Sequence, residues 1–414
     1  MNSMEKMLIN IIRRNPNLTK SEIATLSNVS WATVSNTINS LADQGILLVE
    51  EKEGGERIDP NPKALYRAKI SLNKDYEVYV GVSVGSSNIK IVFLGFDLST
   101  INKLDVEHFG FEKIASMLIR NGFEQCEDGS FQWCVSTPRD IISVSSILID
   151  VCNAIYDWAI DTEFKVGAIT FTFPGHIDYS RQQIISTANL CNNNIQQADI
   201  SRVITSTVKQ KFIDKKIDVY IDHNVKSATI AEKTYIANSS IQNDAENMFV
   251  MYLGKGVGIG MVLDNRLFRG KNNLAGQLGH IVPQGNDREF EDILWNDVFE
   301  CKKKNCRFED FKVDELKNTI RENPAKKEKL VKLLADTIKN IVQIIGVQDI
   351  VFAGKFGPLF EEIELDLLTK LEDMGSSGLS LQKSRYGEYS AAVGAAMTCF
   401  HRKYEIAFEW EQLF

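Results

Sequence analysis

The chain has 414 residues, 44% hydrophobic and 25% charged, with 47 Lys and Arg against 55 Asp and Glu and a net charge of −8. That is about three times a typical domain of roughly 150 residues, in an ordinary globular composition. An acidic balance excludes a protein that merely coats nucleic acid, but not a small, nearly neutral DNA-reading module on an acidic body. The start, MNSMEKMLINIIRRN, mixes acid and base where a secretion signal carries an apolar block. No window holds the roughly 20 uninterrupted apolar residues of a spanning helix, so we expect a cytoplasmic protein with no membrane partner. Cys126, Cys134, Cys152, Cys191, Cys301, Cys306 and Cys399 are odd in number and scattered, without a CxxC pair. They read as free thiols in a reducing compartment.

Residues 5–14 place Met7, Leu8, Ile11 and Ile12 at a helical period, followed by the breaker Asn15-Pro16-Asn17. Thr19 to Glu22 forms a capping box for a short second helix, roughly 19–26, that is expected to bury Ile23 and Leu26. Asn28 sits in the turn, where its side chain tolerates the left-handed conformation. Ser30 caps a third helix, roughly 31–43, with Val34, Ile38 and Leu41 inward at i, i+4 and i+7. That spacing turns short hydrogen-bonding side chains outward, as a recognition helix requires. The segments Ile46–Glu51 and Ala64–Ile70 flank a loop with Gly54, Gly55 and Arg57, which reads as a β-wing. The expected DNA-facing set is Thr19, Ser30, Trp31, Thr33, Ser35, Asn36, Asn39 and Arg57. Two roles stay open for Trp31, touching DNA or packing on the body, and a three-helix protein-docking module is the alternative for the whole segment. Residues 1–70 carry nine basic and eight acidic side chains, a thin electrostatic footprint that two copies on a two-fold site would strengthen.

From Tyr76 onward, strands alternate with glycine turns and helices. Tyr76–Val84 and Ile89–Phe96 flank Gly85-Ser86-Ser87, and Val166–Phe173 runs into Pro174-Gly175. Asp218–Asp222 leads through His223-Asn224 to a helix ending near Glu232. Met248–Leu253 precedes Gly254-Lys255-Gly256, and Ala275-Gly276-Gln277-Leu278-Gly279-His280 follows a further strand. A helix at 326–344 and a strand at Ile350–Phe352 end in Gly354-Lys355-Phe356-Gly357. Such alternation implies an α/β architecture with ligands at the glycine turns.

The order of these motifs resembles the ROK family of repressors and sugar kinases, and within it the xylose- and N-acetylglucosamine-repressor-like branch with an N-terminal winged helix. The most specific piece is LGKGVGIGMVLDNRLFRGKNNLAGQLGH, residues 253–280. The resemblance implies a winged helix-turn-helix over 1–72 followed by an actin-like fold of two ribonuclease-H-like lobes. These would span 73–200 and 201–385, with a C-terminal helix, 386–414, returning to the first lobe.

A kinase of this family would need a general base, a carboxylate for Mg²⁺ and amides around phosphate. The matching base position is Asn224, beside His223, and an amide takes no proton at neutral pH. Asp222, two residues away, is a substitute only if its side chain shares the register. The phosphate turn reads Ser83-Val84-Gly85-Ser86-Ser87, with Ser83 where the family carries an acid. Gln277 replaces the sugar-contacting Glu, and His280 matches the family His. The family's zinc cysteines are missing between 281 and 300, and Glu300, near another sugar-contacting position, has lost its motif. We therefore expect no metal, no cofactor and no catalytic residue. The expected effector set is Gly175, His223, Asn224, Gln277 and His280. The former phosphate loops are Ser83, Gly85, Ser87, Gly254, Lys255, Gly256 and Gly354, with Lys255 either solvated or holding an anionic effector. The implied function is a DNA-binding regulator, a repressor working as a homodimer on a double-stranded operator, responsive to a sugar or sugar phosphate. The alternatives are a relic site governed by a protein partner, for which Gly110–Thr137 is a candidate docking surface, and an active ATP-dependent sugar kinase.

Overall fold

The computed structural model describes residues 1–50, 68–102, 105–126, 131–138, 140–162, 164–187, 190, 212, 217–238, 246–301 and 311–404. Gly54, Gly55, Arg57, Cys191 and Cys306 lie outside them. At the front, helices α1 (Ser3–Arg14), α2 (Lys20–Ser27) and α3 (Trp31–Asp43) each start at the polar cap the sequence supplies, Asn2, Thr19 and Ser30. Thr19 and Glu22 close the capping box, and Asn28 ends α2 at φ 53°. Strand β1 (Leu47–Glu50) pairs antiparallel with β2 (Lys69–Leu72), Leu47 opposite Leu72, which places the two strands of a wing behind α3.

Leu8, Ile9, Ile12, Ile23, Val34, Ile38 and Leu41 form the core of this module. Leu26 does not join it: it is 57% exposed. On a helix of two turns, Lys20 and Ile23 take the buried stripe, and Leu26 falls about 60° to its side.

The body follows. Strands β3 (Val78–Val84), β4 (Asn88–Leu94), β5 (Glu124–Gln125), β6 (Gln132–Ser136) and β7 (Val166–Phe173) come first, with helices α4 (Val106–Phe109), α5 (Glu112–Arg120) and α6 (Ile141–Asp161) between them. The hairpin β8 (His176–Asp178) and β9 (Gln183–Ser186) precedes β10 (Asp218–His223) and helix α7 (Asn224–Asn238). Strands β11 (Met248–Leu253), β12 (Val257–Leu263) and β13 (Arg266–Leu267) lead to α8 (Phe290–Ile293), α9 (Val313–Glu322) and α10 (Pro324–Ile345). Strand β14 (Asp349–Ala353), α11 (Glu364–Asp373), β15 (Ser380–Lys383) and α12 (Ser390–Lys403) complete the order.

Two sheets share one plan. The first runs β10-β7-β3-β4-β6-β5 and the second β13-β12-β11-β14-β15. In each, a three-strand antiparallel meander is extended by two parallel strands on its first member. Repetition of this ribonuclease-H-like order is what the family resemblance implies. The division expected at residue 200 is displaced, because β10 pairs parallel with β7, Asp218 opposite Ala168. The first sheet therefore extends to His223, and α7 is the element that crosses to the second.

The described part of Gly110–Thr137, the candidate docking surface, contributes largely to the core instead. Phe111, Ile114, Leu118, Phe123, Phe131 and Trp133 are buried in the first lobe's core, and β6 is a member of its sheet. Helix α6 is long and apolar enough to cross a membrane by composition alone. Its Val144, Leu148, Val151, Ile155 and Trp158 are instead buried against that same core.

Helices α7 and α12 lie side by side between the sheets. Their backbones approach so closely that a Cβ on Gly394 would stand 1.7 Å from the carbonyl oxygen of Ser227. The apolar cluster around α12, with Tyr79, Phe96, Ala396 and Phe400, is continuous with that of α1 and also holds Ile230 and Ala231 of α7. The winged helix is thus docked on the body. At this junction burial, Arg13 and Arg14 together hold the His401 imidazole well below its ordinary pKa, so it stays neutral.

Candidate functional site

A cleft opens between the sheets, about 1030 Å³ with the space open to solvent included. Ser83, Gly85, Ser87, Asn88, Lys90 and Gly175 line it from the first lobe. Tyr252, Gly254, Lys255, Gly256, Gln277, His280, Glu291 and Lys355 line it from the second, with His223 and Asn224 at the junction of β10 and α7 between them. Strand ends and turns far apart in sequence converge here because both sheets deliver the carboxyl ends of several of their strands to the same gap. Gly354 is the exception among the expected residues. Its amide donates to Gly387 (N···O 3.3 Å), which turns it behind the wall, and Lys355 reaches the cleft in its place.

The Ser83–Ser87 turn is closed by the Gly85 amide donating to the Asn88 carbonyl at 2.9 Å, and Thr137 ties down both Gly85 and Ser87 carbonyls. On the opposite side, the Gln277 turn depends on Gly276 at φ 87°, whose amide neighbourhood lies against β12. A Cβ there would meet the Ile259 carbonyl at 1.8 Å, so only glycine permits the approach.

Asn224 is nine-tenths buried. Its Nδ2 donates to the Val84 carbonyl at 3.2 Å, and its Oδ1 is buried with no hydrogen-bond partner. His223 accepts the Val225 amide on Nδ1 at 3.1 Å, which leaves the proton on Nε2. Burial, then the Lys226 charge, lowers its pKa to about 4. His280 behaves oppositely: a 2.9 Å contact with Glu289 raises its pKa, and half of its side chain stays in solvent.

Asp222 does not face the cleft. Its two oxygens take Arg269 Nη1 and Nη2 at 2.8 and 2.9 Å, and Oδ1 also accepts the His223 amide at 2.7 Å. Burial pushes its carboxyl up, but Arg269 outweighs this and holds it below the usual range. Arg269 in turn stacks on Tyr179 at 3.5 Å. Lys226 donates to the Phe268 and Ala275 carbonyls at 3.2 and 2.8 Å, and burial brings its pKa down to about 7. These two cationic side chains pin the loop that presents Gln277.

The expected DNA face divides. Trp31, Thr33, Asn36 and Asn39 are exposed on α3, with Trp31 39% exposed, so it is not buried against the body. Thr33 exchanges a 2.8 Å hydrogen bond with the capping Ser30 hydroxyl. Ser35 is buried, contrary to expectation. The buried Lys20 ammonium donates to Ser35 Oγ at 3.2 Å and to Asn39 Oδ1 at 2.6 Å, drawing α2 onto α3 through a polar contact that an amphipathic pattern does not reveal. Thr19 is spent on its capping box.

A model of the ROK family matches residues 108–401, and a winged helix-turn-helix DNA-binding model matches residues 1–47. The chain belongs to the ROK family. It is 25% identical over 274 residues to a xylose repressor of Caldicellulosiruptor bescii, covering 66% of this chain but only 57% of that protein. A glucokinase of Halalkalibacterium halodurans is 34% identical over 209 residues, 50% of this chain and 51% of the other. In fold, it matches a ROK family transcriptional regulator described as a homologue of the E. coli MLC protein, with TM-score 0.68 and 13% identity, covering 98% of this chain and 97% of that one.

The ROK kinase requirements do not fit these residues. Where a base is needed stands an amide already committed to Val84, and the nearby Asp222 is locked to Arg269. Ser83 offers a hydroxyl, and the acidic side chains lining the cleft are Glu291 and Glu388, of which Glu388 holds Lys90 at 2.6 Å. No phosphoryl-transfer step follows from this arrangement. Glu300 pairs with Lys326 at 2.8 Å and does not line the cleft. Glu291 does, accepting the Val257 amide at 3.2 Å, with burial raising its carboxyl. Sequence reading missed Glu291, Lys90 and Lys355, although Lys355 stood inside a glycine turn already singled out.

The histidines give a pH prediction. In the unfolded chain His223 titrates near 6.5, but folded it takes a proton only near pH 4. Its contribution is complete above about pH 6.5 and is lost as pH falls toward 4, because only the unfolded state binds the proton in that window. His280 has the reverse sign, contributing below about 6.5 and less as pH rises through its raised value. Urea denaturation from pH 7.5 to 4.5 should show a smaller acid loss in His223→Gln than in the parent. An equal loss in both would sink the assignment.

Proposed function

We propose that this ROK protein is a transcriptional repressor that binds a two-fold operator as a cytoplasmic homodimer and is released or retained by a sugar or sugar derivative in the cleft. Asn224 carries the reading. A buried amide oxygen without a partner costs about 1–3 kcal/mol, and a sugar hydroxyl donating to it relieves that cost while keeping its proton, which an amide, unlike a kinase carboxylate, does not take. Gln277 and the Nε2 proton of His223 add neutral hydrogen-bonding groups suited to a polyhydroxylated ligand, and Lys255 and Lys355 suit an anionic substituent. The cleft is open rather than filled by side chains, which favours a bound effector over a relic. The names of the curated relatives support repression in response to xylose, though the C. bescii protein is matched over little more than half its length.

Helix α7 begins at the effector cleft with Asn224 and shares a core with α1 through Ile230 and Ala231. An effector that binds one lobe arrangement better than the other shifts α7 and with it the docked winged helix, and only such a difference in affinity makes a switch. Titration calorimetry with xylose, glucose, N-acetylglucosamine and their phosphates should show saturable binding by at least one. Asn224→Ala should weaken that binding roughly tenfold. Silence from the whole panel removes the sugar effector. In the same samples a coupled assay with ATP should show no hexose-dependent turnover, and turnover that vanishes in Asn224→Ala would restore the kinase reading.

A further inference from the structure

We infer that α3 reads an A·T-rich half-site, with Asn36 on an adenine and Ala32 and Thr33 against thymine methyl groups. This rests on the operator-binding reading above and adds what the operator contains. Helix α3, WATVSNTINSLAD, has no lysine or arginine. Val34, Ile38 and Leu41 are buried, so the face turned away from the module's core presents Ala32, Thr33 and Asn36, all exposed. The hydroxyl of Thr33 is engaged with Ser30, which leaves its methyl as the group without a hydrogen-bonding role.

The cation nearest this face in the second helix is withdrawn. Lys20, the sole lysine or arginine of α2, is buried with its ammonium on Ser35 and Asn39. Among the described residues, the helix-turn-helix therefore places no cationic side chain on α3's reading face.

The base code turns that composition into a preference. Guanine offers two acceptors, N7 and O6, and is matched most often by bidentate Arg or Lys. Adenine offers an acceptor and a donor side by side, the pattern an Asn amide complements, and thymine alone adds a methyl in the major groove for apolar contact. A helix equipped with Asn36, an Ala and a Thr methyl, its second exposed Asn (Asn39) already accepting from Lys20, and with no cation, discriminates for A·T steps. A good bidentate pair discriminates by roughly 5- to 140-fold against the wrong base.

Selection of the full-length protein against a pool of duplexes randomised over two half-sites tests this. The expected product is a two-fold sequence with A·T pairs at the steps under α3. Asn36→Ala should relax one step per half-site by about tenfold while the remaining steps, and the thermal melt of this exposed substitution, are unchanged. Asn36→Arg should move that step from adenine toward guanine. Guanine selected by the parent at the α3 steps, or a selected sequence indifferent to Asn36→Ala and Asn36→Arg alike, overturns the assignment while leaving operator binding intact. A pool with no enrichment over competitor DNA overturns the operator-binding reading itself, and this inference with it.

Discussion

Asp222→Ala should lower the unfolding free energy by about 3–5 kcal/mol and abolish the response to effector. The carboxylate is fully buried and receives both terminal nitrogens of Arg269, whose side chain is only 14% exposed. Removing it takes from a low-dielectric site the carboxylate that engages both terminal nitrogens of Arg269, and takes from nearby Lys226, already lowered to about 7 by burial and Arg269, the one charge that raises its pKa. The usual discount for a solvated ion pair does not apply, because water reaches neither partner freely. The same cut frees the loop that Arg269 and Lys226 pin, so Gln277 loses its fixed place across from Asn224. Asp222→Asn keeps the shape and one acceptor, and should fall between parent and Ala. Urea denaturation followed by tryptophan fluorescence, with calorimetry on whatever remains folded, measures both effects. A loss below about 1 kcal/mol with normal effector binding contradicts the role given to the pair.

Gly394→Ala should be nearly as severe, at about 3 kcal/mol or more. A single methyl at this position meets the backbone of α7 at Ser227, with the carbonyl oxygen 1.7 Å and the carbonyl carbon 2.4 Å from the new Cβ. Neither atom belongs to a side chain that can swing aside, so the two helices must part by more than an ångström. Both are packed from the other side by sheets, and interiors of this density have no slack to absorb the shift. Because α7 links the cleft to α1, a variant that survives should also bind operator with a weakened dependence on effector. Thermal melts together with operator binding, with and without ligand, read the two consequences. A melt within 2 °C of the parent would show that the helices are not in backbone contact.

Several features stood plainly in the sequence. The three front helices begin at Asn2, Thr19 and Ser30 because a cap is a local event, written in adjacent residues. The glycine turns were visible for a similar reason: a left-handed backbone, such as φ 87° at Gly276, is a local demand that glycine meets. The altered kinase positions Ser83 and Asn224 could be located by counting along motifs, and both do line the cleft. What escaped depends on contacts between distant segments. The Asp222–Arg269 pair joins residues 47 apart, and nothing near Asp222 announces an arginine. Ser35 looked outward by helical period, yet Lys20, a residue type almost never fully buried without a partner, reached across from another helix to claim it. Strand β10 was assigned to the wrong sheet because a parallel partner leaves no mark in the strand's own sequence. Glu291 sits past a stretch where the family motif is interrupted, so spacing lost its anchor there.

The closing helix α12 also sets when this protein can exist. It covers β3, β4 and β7, and Cys399 on it touches the Val80 carbonyl at 3.7 Å, 319 residues away along the chain. Ribosomes add about 5–20 residues per second, so roughly 16–64 s pass between the synthesis of that strand and of the helix that roofs it. Through that interval the first sheet has one apolar face without its cover, while the winged helix is already complete and lacks the body on which α1 docks. A half-made chain thus carries its winged helix before it possesses a cleft, and under the proposed function its operator binding becomes answerable to effector only once α12 is in place.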